Sequence, residues 1–138
     1  TAMNITVSQQ QGRVPVTVIE LDGRLDSNSF QRLIDQAKKA YDGGARDLVL
    51  DMTKLTYISS AGIVSLHSVS KLFRGEALPD INQGWSAIRS AGDDRATGIQ
   101  VHVKLCAVPP EVQSVLDVVG FSSFFEIFAE LEKAVSSF

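Results

Sequence analysis

Ser59-Ser60-Ala61-Gly62 is the stretch of this 138-residue chain whose residue types come nearest to a reactive site: two adjacent hydroxyls, then two residues small enough to let another molecule reach the backbone. A serine becomes a nucleophile only when a base takes its proton, and the chain offers two histidines, His67 and His102. Seven helical residues place His67 about 10 Å from Ser60, far beyond the roughly 3 Å that proton transfer needs. His102 falls within a predicted strand and reads as a solvent-facing or capped residue. The single cysteine, Cys106, sits in the apolar run from Val101 to Cys106, where a small buried hydrophobe is the usual role. Two histidines and one cysteine leave little for a transition-metal site. Asp93-Asp94 is not followed by the alternating oxygen ligands of a calcium loop, and Gly43-Gly44 is not followed by the lysine and hydroxyl of a phosphate loop. No catalytic residue, metal or cofactor is therefore expected. Binding is what remains for the serine turn: a helix N-terminus offers free amides and the positive end of a dipole, a setting that suits an anion.

The elements around this turn follow from pattern. Asn4 to Ser8 alternates apolar and polar residues, and Val14 to Leu21 resumes after Gln11-Gly12-Arg13, predicting a hairpin with Pro15 at the start of its second strand. Asp26-Ser27-Asn28-Ser29 offers cap oxygens before Phe30, Leu33, Ile34, Ala37 and Tyr41, which mark one face of a helix ending at Asp42-Gly43-Gly44. Leu48 to Met52 is an apolar run suited to a strand buried on both faces. A strand, a helix and a strand in this order imply a crossover and parallel pairing, so the sheet is mixed. Ile63, Leu66, Val69 and Phe73 then recur at helical spacing. Periodicity fails from Gly75 to Gly98, an irregular excursion in which Trp85 with Leu78, Ile81 and Ile88 reads as packing on something. Val101 to Val108 is a strand, and Pro109-Pro110-Glu111 opens a helix that stops at Gly120. Phe121, Phe124, Phe125, Ile127 and Phe128 read as core, merging into a last helix with Leu131 and Val135.

With 44% hydrophobic and 21% charged residues, the chain supports one well-filled core, read as a single domain over 3–138 with an insertion at about 75–98. A net charge of −3 and a pI near 5.3 argue against direct nucleic-acid binding. No apolar stretch approaches the roughly 20 residues of a membrane span, and no secretory leader is visible, so a cytoplasmic location is expected.

The β, β, α, β, α, β, α, α order with a serine turn between the central strand and its helix resembles the STAS (sulphate transporter and anti-sigma factor antagonist) family. The resemblance rests on Leu21-Asp22-Gly23-Arg24-Leu25-Asp26, on Leu48-Val49-Leu50-Asp51-Met52-Thr53, on Leu55-Thr56-Tyr57-Ile58-Ser59-Ser60-Ala61-Gly62-Ile63 and on Val119-Gly120-Phe121. It implies an α/β fold with a mixed four- to five-stranded sheet and about four helices on one side. It also implies a bacterial, non-enzymatic anti-sigma factor antagonist that regulates transcription by binding. Its partner would be an anti-sigma factor or a serine kinase of the histidine-kinase-like ATPase type, opposed by a phosphatase. The contact residues so implied are Asp26, Ser59, Ser60, Ala61, Gly62, Val64, Ser65 and Ser68. Phosphorylatable members carry the acceptor immediately before the glycine, where this chain has Ala61; Ser60 and then Ser59 are the nearest hydroxyls. Both serines also read as caps of the second helix, as Asp26 does for the first. Two other roles fit the same resemblance, an accessory domain of a lipid or anion transport system and a scaffold in a stress-sensing assembly.

Overall fold

The computed structural model describes residues 3–75 and 100–138. The expected excursion, with Trp85 and its apolar companions and Asp93-Asp94, lies outside the described residues apart from Gly75. Strand β1 (Asn4–Gln11) and strand β2 (Pro15–Leu25) form the expected hairpin, in unbroken register from Asn4 opposite Asp22 to Gln11 opposite Pro15. Helix α1 (Phe30–Asp42) crosses to β3 (Leu48–Ile58), which runs parallel to β2. Helix α2 (Ser60–Phe73) follows, and β4 (Gln100–Cys106) lies parallel to β3. Helix α3 (Pro110–Val119) ends at Gly120, whose φ of 83° is the left-handed cap that glycine adopts without steric cost. A 3-10 turn at Phe121–Ser123, a short β5 (Phe125–Phe128) parallel to β4, and helix α4 (Leu131–Ser136) complete the described chain. The order in the sheet is β1-β2-β3-β4-β5, one antiparallel pair followed by three parallel ones.

The central strand holds the layers together. Leu48, Val49, Leu50 and Met52 are all fully buried, so β3 is covered on both faces, as its unbroken apolar run predicts. Burying each such side chain contributes about 1.5–3 kcal/mol. Leu48, Leu50 and Met52 join Ile19, Leu21, Leu33, Leu66, Leu105 and Leu116 in the larger core, beneath α1, α2 and α3. Val16, Val18, Val49 and Cys106 point the other way and pack with Ala134 and Val135.

Three findings differ from the sequence reading. The last helix does not share a face with the others: α4 covers the opposite side of the sheet, because period-two alternation leaves a second apolar stripe there that needs a cover. Buried Lys104 fixes α4, its ammonium 2.8 Å from Ser137 Oγ, 2.9 Å from the Glu126 carboxylate and 4.3 Å from the Phe138 ring centroid. The phenylalanine segment does not merge into that helix. Phe121, Phe124 and Phe125 are core as expected, but Phe125-Glu126-Ile127-Phe128 is a strand, since aromatic and β-branched residues beside an open β4 edge favour pairing. Finally, β3 continues six residues past Met52, with Leu55 and Ile58 buried between exposed Thr53, Lys54, Thr56 and Tyr57. This extension follows β2 through register shifts between Glu20 and Asp22 and between Gly23 and Arg24.

That extension delivers the chain to the serine turn. Leu25 and Ile58 end their strands side by side, and the Ser59 amide donates to the Leu25 carbonyl at 3.0 Å. The next turn packs so closely that a Cβ on Gly62 would stand 2.6 Å from both the Leu25 carbonyl oxygen and Ile58 Cγ1. Alanine would gain up to about 1 kcal/mol of helix propensity, but the facing carbonyl is fixed in the sheet and cannot yield, so overpacking of about 1–3 kcal/mol wins. Gly62→Ala should therefore lower unfolding free energy in urea by about 1–2 kcal/mol; equal or greater stability would refute this packing.

On the other face, burial first, then the charge of Asp51 and its hydrogen bond, push the Cys106 thiol from its ordinary 9.0 up to about 12. The folded thiol therefore stays protonated where the unfolded one ionises. Stability should fall as pH rises from about 9 towards 12, and Cys106→Ala should flatten that slope. Thiol reagents at pH 8 should label the native protein only as fast as it unfolds; immediate labelling would show that Cys106 is open to solvent.

Candidate partner-binding site at the serine turn

Ser59 is the N-cap of α2, with extended backbone (φ −102°, ψ 179°) and its Oγ accepting from the Gly62 amide at 3.3 Å. Its carbonyl accepts from the Ile63 amide at 3.0 Å. The capping role read from sequence is therefore filled by Ser59, and its hydroxyl is engaged within the turn. Ser60 follows as the first residue of the helix and is exposed, with Ser59 and Ala61 half-buried and Gly62 beneath them. The first turn of α2 carries no acidic side chain.

Asp26 stands at the adjacent strand end, one residue beyond Leu25 as Ser59 is one beyond Ile58. It is not the N-cap of α1; that position belongs to Ser29. Asp26 instead closes the approach to the helix, its Oδ1 accepting from the Asn28 amide at 3.0 Å and its carbonyl from the Phe30 amide at 2.8 Å. Ser29 Oγ donates to the Arg24 carbonyl at 2.6 Å and accepts from the Asp26 amide at 3.0 Å, locking the loop from inside. The Asp26 carboxylate also lies 3.6 Å from the Arg24 guanidinium, which stacks 4.2 Å over the Tyr57 ring centroid. At an exposed position such an ion pair contributes little stability, and it holds the arginine and tyrosine against each other at the rim of the turn.

Further along α2 the surface closes. Val64, Ser65 and Ser68 are buried, as is His67, and Ser65 Oγ donates to the Gly62 carbonyl at 2.6 Å. Val64, Ser65 and Ser68, implied as contact residues by the family resemblance, are therefore not at the surface. Mean hydropathy accounts for this: α2 is apolar enough to be enclosed, and Ser65 returns its hydroxyl to the backbone. Burial of His67, against an exposed Ser60, also separates the two residues that a nucleophile and base would need to bring together. His102 lies at the surface, Nδ1 3.0 Å from Asp47 Oδ1, the solvent-facing role expected of it. Among the described residues no three or more His, Cys, Asp or Glu side chains converge as a metal site would require, and no helix is long and apolar enough to cross a membrane.

The open side of the turn lies towards α3. A groove of about 310 Å³ is lined by Tyr57, Ile58, Ser59, Ser60, Ile63, Val115 and Val119. Val118, 86% exposed, stands beside it on the same helix. Sequence reasoning missed Tyr57 and the valines. The available signal was Val118 itself, an aliphatic residue off the buried stripe of Val112 and Leu116, where a polar residue is usual.

Against known proteins, the family model described as Mlab, STAS domain, matches residues 8–78, just over half of the chain. BtrV of Bordetella bronchiseptica, a candidate anti-sigma factor antagonist, is 26% identical over 136 residues, covering 99% of this chain and 95% of that protein. Among solved structures, an anti-sigma factor antagonist from Mycobacterium paratuberculosis superimposes with a TM-score of 0.70 at 15% identity, over 99% of this chain and 93% of the other. SpoIIAA of Bacillus superimposes in its unphosphorylated form with a TM-score of 0.60 at 16% identity, covering 96% and 93%, and in its phosphorylated form with 0.55 at 15%, covering 96% of each. The structural likeness carries the fold, and the sequence match carries the family. With β1 to α2 arranged around the same serine turn that the family match spans, the chain belongs to the STAS-domain family.

Proposed function

We propose that this chain is an anti-sigma factor antagonist that binds an anti-sigma factor of the histidine-kinase-like serine kinase type through the turn at Ser59 to Gly62, with Asp26 and the Arg24-Tyr57 pair at its rim. The observation that carries the reading is the exposure of Ser60 and the partial exposure of Ala61 on a turn pressed against Leu25 and Ile58 by Gly62. A partner can reach that backbone without displacing a large side chain, while the apolar groove towards Val115 and Val119 supplies area to bury. The names borne by BtrV and by the Mycobacterium structure support the same role.

Ser60 is the residue through which a kinase would regulate this contact. Ser59 is held by its cap, whereas the Ser60 side chain is open to solvent at the start of a helix without acidic neighbours in its first turn. A phosphate there would add about −1.5 to −2 charges in the centre of the contact, and a docked partner would have to desolvate them. Ala61 has no hydroxyl to offer.

Capture from native cell extract on the immobilised chain should recover an ATPase of this kinase type; recovery of transporter subunits or of large self-similar assemblies instead would replace the proposal. With the captured kinase and ATP, phosphate should map to Ser60. Ser60→Asp should weaken binding at least about tenfold while Ser60→Ala keeps it. Label confined to another residue, or equal binding by Ser60→Asp, would sink the regulatory part.

A further inference from the structure

The two edges of the sheet are built differently. β5 has four residues, pairs with β4 through a register shift between Gln100 and Leu105, and carries the charged Glu126. Shortness, irregularity and charge are the devices that keep an edge strand from pairing with another chain. β1 has none of them. Its eight residues, Asn4-Ile5-Thr6-Val7-Ser8-Gln9-Gln10-Gln11, hold no proline, glycine or charge and pair with β2 without a bulge. Apart from Ile5 every one of them is exposed, Val7 at 41%. Among the described residues nothing pairs with its outer edge.

We propose that β1 is a self-association edge: two copies of this chain join antiparallel along β1 into a continuous ten-stranded sheet. The strand suits itself as a mate. With a two-fold axis through Val7, the Val7 residues of both copies meet, Thr6 lies opposite Ser8, Ile5 opposite Gln9 and Asn4 opposite Gln10. Opposite residues then have the same parity, so Ile5, Val7 and Gln9 of the two copies meet on one face and Asn4, Thr6, Ser8 and Gln10 on the other, with the α1–α2–α3 layers of both copies on the same side. Because the seam is uncharged, two chains of net charge −3 approach there without like charges opposed. A foreign strand would need the same length and neutrality; a second copy has them by construction. The seven paired residues span about 24 Å and form a seam smaller than the roughly 800 Å² per partner of a standard interface, so the association is of micromolar rather than nanomolar strength.

Sedimentation equilibrium of the full chain from about 1 µM to about 1 mM should show the mass rising from 14.9 kDa towards twice that value. Val7→Lys places like charges on the axis and should weaken the dimer about tenfold or more. Thr6→Lys does the same from the other face, and whichever variant keeps the parent's melting temperature decides. Val7→Cys should form an intermolecular disulfide on mild oxidation, with buried Cys106 taking no part. A monomer across the whole range, or a dimer whose affinity survives both lysine variants, overturns the proposal. Neither outcome bears on kinase binding at the serine turn.

Discussion

The contact on which the rest of this structure depends is the one without a side chain, where Gly62 meets the Leu25 carbonyl and Ile58. A helix that leaves a strand normally stands off by the width of a Cβ. Removing that atom lets the first turn of α2 rest against the paired ends of β2 and β3. The consequences run in both directions along the chain. Inward, α2 is brought low enough for Ile63, Leu66, Val69 and Phe73 to enter the main core beside α1. Outward, the close approach leaves Ser60 and Ala61 at the surface while Ser59 is held between the Leu25 carbonyl and the Gly62 amide. The same constraint thus supports packing and presents the turn, which is why substitution there cannot be read as a functional change until stability has been measured.

Much of the fold was legible because hydrophobic period and punctuation agree. Ser59 before an apolar 3.6-residue repeat marks a helix start, and Gly120 after Leu116 and Val119 marks a stop; both stand where the pattern puts them. Leu48 to Met52 declared a doubly covered strand, and its burial follows. What local pattern does not carry is the side on which a short helix lands. Leu131, Ala134 and Val135 look the same whether they face α3 or the far face of the sheet, and only the assembled stripe of Val16, Val18, Val49 and Cys106 decides. Strand length was hidden for a related reason. Thr53, Lys54 and Thr56 look like loop residues until their pairing with the irregular end of β2 is known.

The geometry of the turn was legible in the sequence, whereas the burial around it was not. Two hydroxyls, an alanine and a glycine after an apolar strand announce a close-packed turn, and the cap oxygen is found there. The margins depend on burial, which single-sequence pattern reports poorly for serine. Ser65 reads as a polar, outward residue, yet a helix can absorb a serine hydroxyl by returning it to its own backbone, as Ser65 does to the Gly62 carbonyl. Val115 and Val119 come beside Ser60 only through the tertiary course of α3, some fifty residues later, so no local signal joins them to the turn.

The two surfaces argued for this chain occupy independent parts of one sheet, and this independence is itself a consequence of the topology. The serine turn sits at the end of β3, the central strand, where the chain must leave the sheet to form a crossover. β1 lies two strands away, fixed to β2 by an antiparallel hairpin, with seven of its eight residues exposed. Pairing along β1 would leave the ends of β3 untouched and, because antiparallel pairing reverses strand direction, would set the two serine turns at opposite ends of the joined sheet. A mixed sheet with a neutral hairpin at one edge and parallel crossovers beyond it can therefore carry assembly and recognition on separate elements, each open to change without rebuilding the other.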